Sequence, residues 1–122
     1  MKILPALLAL ITSIICFSHS AYAQKDLPAN DASTAAFVEL CKNPNDEQGR
    51  IFCFGFGEGV YQSYLVNRSS NAKRSICFSN KSETRNEILQ KFLAWNVANP
   101  QFNQESAAQT LMRFFMQNYP CK

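Results

Sequence analysis

The residues of this 122-residue chain best suited to chemistry are five cysteines, one histidine and a few carboxylates. A cysteine or serine nucleophile needs an imidazole within reach to activate it. The only histidine, His19, lies in a segment that reads as a removable leader, so that machinery is excluded. Zinc sites require closely spaced ligand pairs. Cys41, Cys53, Cys77 and Cys121 contain no C-x-x-C pair, and no metal is expected. Glu83 and Glu87 stand four apart, a spacing that serves capping and salt bridging on a wet helical face. Glu58 sits between Gly57 and Gly59 in an otherwise apolar stretch. Buried there, its carboxyl would be raised and could move protons. The plainer reading, and the favoured one, points Glu58 to solvent, opposite the face of Phe56 and Val60. Gly55, Gly57 and Gly59 lack the preceding strand and the register of a phosphate-cradling loop. No catalytic residue and no cofactor is therefore expected.

The leader sets the compartment. Lys2 gives a positive start, residues 3–17 form an apolar run, and Ala21-Tyr22-Ala23 supplies the small-x-small pattern of a signal peptidase site. The run is shorter than the roughly 20 residues that span a bilayer, and Ser18, His19 and Ser20 close it. Cys16 follows the bulky Ile15, where a lipidation signal wants a small residue. Residues 1–23 are thus expected to be cleaved, leaving no membrane segment and placing the mature chain in the periplasm of a Gram-negative bacterium. The formal charge of +3 falls to +2 when Lys2 is lost. So small a balance argues against a nucleic-acid partner or a polybasic membrane binder.

Removing the leader leaves four cysteines, and an even count in a short exported domain reads as a disulfide framework. Three connectivities are open. Cys41 ends one expected helix and Cys53 begins the next, which favours a Cys41–Cys53 bridge across a helical hairpin. Cys77–Cys121 would then tie the last residues to the middle of the domain.

The elements that position these residues follow from periodicity. Residues 24–30, with Pro28, have no apolar pattern and read as a flexible arm; the domain proper is 31–122. Asp31, Ser33 and Thr34 offer capping oxygens before Ala36, Phe37, Leu40 and Cys41 at helical spacing, and Asn43-Pro44-Asn45 stops the helix. A polar loop containing Gly49 leads to Arg50. Residues 51–66 form the second helix, with Phe56, Val60 and Tyr64 recurring every four residues. Its three glycines each cost about 1 kcal/mol relative to alanine. Close approach of a neighbouring helix at Gly55 and Gly59 would offset that. Thr84 and Glu87 make a capping box for a third helix with an apolar stripe through Ile88, Leu89, Phe92, Leu93 and Val97. Trp95 needs a hydrogen-bond partner if buried, and Asn99-Pro100 ends the helix. Asn103 can cap a fourth, with Ala108, Leu111, Met112 and Phe115 inward and Gln109, Arg113 and Gln117 outward, stopped by Tyr119-Pro120. The expected fold is all-α, a small disulfide-stapled bundle of about four helices.

Leu40-Cys41, the run Cys53-Phe54-Gly55-Phe56-Gly57-Glu58-Gly59, Ile76-Cys77, Asn99-Pro100 and Tyr119-Pro120-Cys121 together resemble the Rap/Tai immunity family of type VI secretion, from about Phe37 to Cys121. Ser79 departs from the family's usual proline after the third cysteine, and Gln62 from a common acidic residue. The resemblance implies a periplasmic homodimer that binds a cell-wall amidase effector and blocks its cleft, protecting the producer and its siblings. The segment 67–74 is the expected presenting element, with Asn67, Arg68, Ser69, Ser70, Asn71, Lys73 and Arg74 as partner-binding candidates. The rival reading is a periplasmic stress or chaperone-type protein that binds clients or lipid through an apolar surface.

Overall fold

The computed structural model describes residues 31–78 and 82–122. The proposed leader 1–23, the arm 24–30 and Ser79 lie outside the described residues. Four α-helices follow one another: α1 (Thr34–Cys41), α2 (Glu47–Asn67), α3 (Arg85–Ala98) and α4 (Ala107–Asn118), with a 3-10 turn at Pro100–Phe102 between the last two. The architecture is an all-α bundle in which α2 and α4 each pack against the other three helices. Backbone pairing outside the helices among the described residues is limited to single bridges, Ser33 with Ser106 and Ile76 with Pro120. No helix among the described residues is long and apolar enough to cross a membrane.

Capping fixes where each helix starts. The Ser33 hydroxyl accepts from the Ala36 N–H at 3.2 Å and opens α1. Asp46 opens α2 by accepting from the Gly49 N–H at 2.9 Å. This begins α2 at Glu47, four residues earlier than periodicity indicates, and turns the expected Gly49 loop into the first helical turn. The apolar pattern misses this turn because its residues are polar, whereas the Asp46 cap acts on backbone donors that every sequence carries. At α3 the reciprocal capping box forms, with Thr84 N–H donating to Glu87 Oε2 at 2.6 Å and Glu87 N–H to Thr84 Oγ1 at 3.2 Å.

The last helix starts later than Asn103. Ser106 is its cap, because Pro100 and Phe102 are taken up by the 3-10 turn. Asn103 serves that junction instead, accepting from Asn96 Nδ2 at 3.1 Å through its side chain and from the Ala35 N–H at 3.0 Å through its carbonyl. The shift rotates α4: Ala107, Thr110, Leu111, Phe114 and Phe115 are buried, while Ala108 is exposed and Met112 only partly covered. On α3 the inward position at the end of the stripe is Asn96, and Val97 is 81% exposed.

The core is dominated by rings. Phe92 and Phe114 are fully buried and meet edge to face at 5.4 Å, and Phe37 packs against Phe92 at 5.8 Å. Trp95 stacks on Phe102 at 5.6 Å, and its indole N–H donates to Gln117 Oε1 at 3.1 Å. One buried polar pair joins the chain's two halves. Thr34 donates to Thr110 Oγ1 at 2.7 Å, while the Thr34 and Ala107 backbone N–H groups reach Glu105 and Ala32 carbonyls, each at 2.8 Å.

Two cysteine pairs lie at bonding distance. The Cys41 and Cys53 Cα atoms are 6.0 Å apart and join α1 to α2; those of Cys77 and Cys121 are 4.9 Å apart. The glycines depart from expectation. A Cβ at Gly55 or Gly59 would meet nothing within 4 Å, so no helix approaches there. The crowded glycine is Gly49, where a Cβ would fall 2.6 Å from Asp46 Oδ2 and 3.1 Å from the Leu40 carbonyl. The space is taken first by the Asp46 side chain that caps the Gly49 N–H, and then by the carbonyl of Leu40 near the end of α1.

Candidate partner-binding site

The segment after α2 is built from both ends. At its start, Asn67 is still helical and donates from Nδ2 to the Ser63 carbonyl at 2.8 Å. Arg68 ends the helix and turns its guanidinium back on the loop, Nη1 donating to the Ala72 carbonyl at 2.7 Å. Its Nε is shielded from solvent without a hydrogen-bond partner among the described residues. A turn from Ser69 to Ala72 closes with an N–H to carbonyl distance of 3.0 Å. At its far end, Ile76 is fully buried and bridges Pro120, and the Cys77 N–H donates to the Tyr119 carbonyl at 2.8 Å.

Tyr64 joins the two ends. Its phenol oxygen accepts the Ser75 N–H at 2.7 Å and the Ile76 N–H at 3.4 Å, and lies 3.1 Å from the Ser75 hydroxyl. These donors, the Ser75 hydroxyl first, hold the Tyr64 phenol below the usual tyrosine range. Tyr64 was legible as a stripe residue, but nothing in its spacing marks it as the strut of a loop eleven residues away.

The seven candidates therefore divide. Asn67 and Arg68 are occupied in building the loop. Ser69, Ser70, Asn71, Lys73 and Arg74 are exposed, and Lys73 and Arg74 form no ion pair among the described residues. The arrangement is a short cationic tip on an anchored base.

A second anchor holds the C-terminal segment. The Tyr119 hydroxyl donates to Glu83 Oε2 at 2.9 Å, and Lys91 pairs with the same carboxylate. Burial first, then the Glu83 hydrogen bond and charge, push the Tyr119 phenol well above its ordinary value. Glu58 is exposed and accepts from Gln62 Nε2 at 2.9 Å, so the solvent-facing reading of that carboxylate is the one observed. Among the described residues there is no group of three histidines, cysteines or carboxylates that could hold a metal ion. Sequence reasoning also missed an apolar cavity of about 280 Å³ between α2, α3 and α4, walled by Phe54, Tyr61, Phe78, Ile88 and Phe115. Its wall draws on every helix, so no single stretch of sequence carries its signal.

The family model of Rap1a immunity proteins matches residues 33–121. The chain belongs to the Rap1a immunity protein family. No curated protein and no solved structure matches it. The family match covers both cysteine pairs, the anchored loop and the cavity, so each is part of the family domain rather than an appendage. Gln62 donates to Glu58 a hydrogen bond that an ionised carboxylate in its place could not.

Proposed function

We propose that this protein is a periplasmic immunity protein that neutralises a secreted peptidoglycan amidase of type VI secretion by seating the 67–74 loop in the enzyme's active-site cleft. The observation that carries this reading is the cationic tip, Lys73 and Arg74 on a base held by Tyr64 and Ile76, in a chain of an immunity family. A blocking element gains affinity when it is ordered before binding, because less conformational freedom is then lost in the complex. Tyr64 and the Cys77–Cys121 pair supply that order from either side. The protein is not an enzyme in this reading; it acts by occupying a cleft. Export through the 1–23 leader would deliver it to the compartment where such an amidase acts and where disulfides persist.

The functional unit is a homodimer. The face available for a second copy is the groove between α2 and α4, where Gly59, Ser63 and Ala108 are exposed, Phe56 and Met112 are half-buried and Phe52 is 49% exposed beside them. Light scattering on the oxidised protein tests this, with a mass of two chains expected.

The test of function pairs the oxidised protein with a small secreted cysteine–histidine amidase, sought first among the genes beside its own, reading peptidoglycan hydrolysis. Stoichiometric loss of amidase activity is expected. The double variant Lys73→Ala, Arg74→Ala should weaken inhibition at least about tenfold while leaving the melting temperature unchanged, since neither side chain has a partner to lose among the described residues. Absence of both complex and inhibition would sink the reading for that pair.

A further inference from the structure

We propose that the cavity between α2, α3 and α4 is a second binding site, which takes one large aromatic side chain of a peptide segment from a partner protein. This does not rest on the loop reading and predicts contacts on a different part of the surface.

The cavity has the size and chemistry for a ring. Its volume is about 280 Å³. A dry cavity of roughly 150 Å³ holds benzene, so this one accommodates a bicyclic group such as indole. Phe54, Tyr61, Phe78 and Phe115 line it, and aromatic rings pair favourably in offset or edge-on contact. Gly57 forms part of the wall and leaves it open, since a Cβ there would meet nothing within 4 Å. In the middle of a helix that glycine has no conformational purpose, and the space it vacates is the space the ligand would use.

The rim argues for a peptide rather than a lipid. Glu58 and Arg85 both line the cavity, and both are exposed. Arg85 has no ion-pair or hydrogen-bond partner among the described residues, and Glu58 Oε1 accepts only from Gln62. The Tyr61 hydroxyl is likewise without a hydrogen bond among the described residues. A peptide group flanking a buried side chain has one carbonyl acceptor and one N–H donor. Arg85 can donate to the first and Glu58 can accept from the second. A fatty-acid carboxylate would be drawn to Arg85 but repelled by Glu58. Apolar anchors set in pockets with a polar rim are the usual energetic centres of protein interfaces.

The experiment titrates the isotope-labelled, oxidised protein with N-acetyl-Gly-Trp-Gly-amide and follows amide resonances. Saturable shifts at Phe54, Tyr61 and Ile88 are expected, with N-acetyl-Gly-Ala-Gly-amide binding at least about tenfold more weakly for want of the buried ring. Gly57→Leu fills the cavity and should weaken the Trp peptide at least about tenfold. Gly55→Leu, the same change on the open side of α2, should leave affinity unchanged. Arg85→Gln, an exposed change that does not touch the core, provides the second variant and should weaken the Trp peptide several-fold. Equal affinity for the Trp and Ala peptides, shifts confined to other surfaces, or full binding by Arg85→Gln would overturn the proposal. So would octanoate binding more tightly than the Trp peptide, which would mark an acyl-chain site. Failure of amidase inhibition leaves these readouts untouched, so the two readings fall separately.

Discussion

Gly49 and Gly57 lie on one helix and answer substitution in opposite directions. At Gly57 the backbone is helical and a methyl group meets open space, so Gly57→Ala should raise stability by about 1 kcal/mol, read as a higher denaturant midpoint at constant slope. At Gly49 the methyl would collide with the Asp46 carboxylate that caps the same residue's N–H. Gly49→Ala should therefore lose the cap as well as gain strain, and destabilise by about 1–2 kcal/mol despite alanine's better helix propensity. Tyr64 gives the third test at this scale. Removing its oxygen takes an acceptor from two backbone donors without disturbing the ring. Tyr64→Phe should speed hydrogen exchange at Ser75 and Ile76 by about tenfold, and weaken inhibition without a matching fall in melting temperature.

The elements were legible wherever a local rule specified them. The Thr84–Glu87 capping box, the Asn43-Pro44 and Asn99-Pro100 stops and the Phe56–Val60–Tyr64 stripe all place helices where they occur. Failures came where a tertiary or backbone interaction overrode the pattern. Nothing apolar announces the first turn of α2; its start depends on Asp46 reaching a backbone N–H. Asn103 looks like a cap but is claimed by Asn96 at the end of α3 and by Ala35, far away in sequence, and α4 rotates accordingly. Gly55 and Gly59 were read as a packing surface, whereas both are open and Gly57 belongs to the wall of a cavity that α2 shares with the other helices. The loop's polarity was visible in the sequence; its rigidity was not, because Tyr64 and Pro120 supply it from outside.

Titration belongs to this scale as well. Hydrogen bonds from the Thr84 N–H and hydroxyl hold the Glu87 carboxyl below its ordinary value. A group lowered in this way stabilises the fold above its unfolded pKa and loses that contribution as pH falls through the folded one. The start of α3 should thus fray on acidification below the usual glutamate range, seen as faster amide exchange at Glu87 and Ile88. Tyr119 runs the other way. Its raised phenol keeps its proton in the fold, so the stabilisation it gives is complete below the ordinary tyrosine value of about 10 and is lost as pH rises from there through the higher folded value, where the contact with Glu83 breaks.

At the scale of the molecule, covalent closure dominates a core this small. In the chain-entropy account, closing separations of 12 and 44 residues contributes about 3 and about 4 kcal/mol. The paired variant Cys77→Ala, Cys121→Ala should therefore lose more stability than Cys41→Ala, Cys53→Ala, measured by chemical denaturation. Peptide mapping without reductant should return Cys41 joined to Cys53, and Cys77 to Cys121.

These closures divide the chain into two rings, one around 41–53 and one around 77–121, connected only through residues 54–76. A protease cut anywhere inside the second ring leaves every residue on one covalent body. A tryptic cut after Lys73 or Arg74, at the exposed tip, instead releases two bodies with no bond between them. The Thr34–Thr110 pair and the backbone bonds from 32–35 to 103–107 would still clasp one to the other. The nicked protein is expected to elute at its intact size yet run at about half that mass on a denaturing gel without reductant, since the cut falls near the middle of the mature chain. The site offered to the enzyme would then also be the seam along which this protein becomes a pair of complementing fragments.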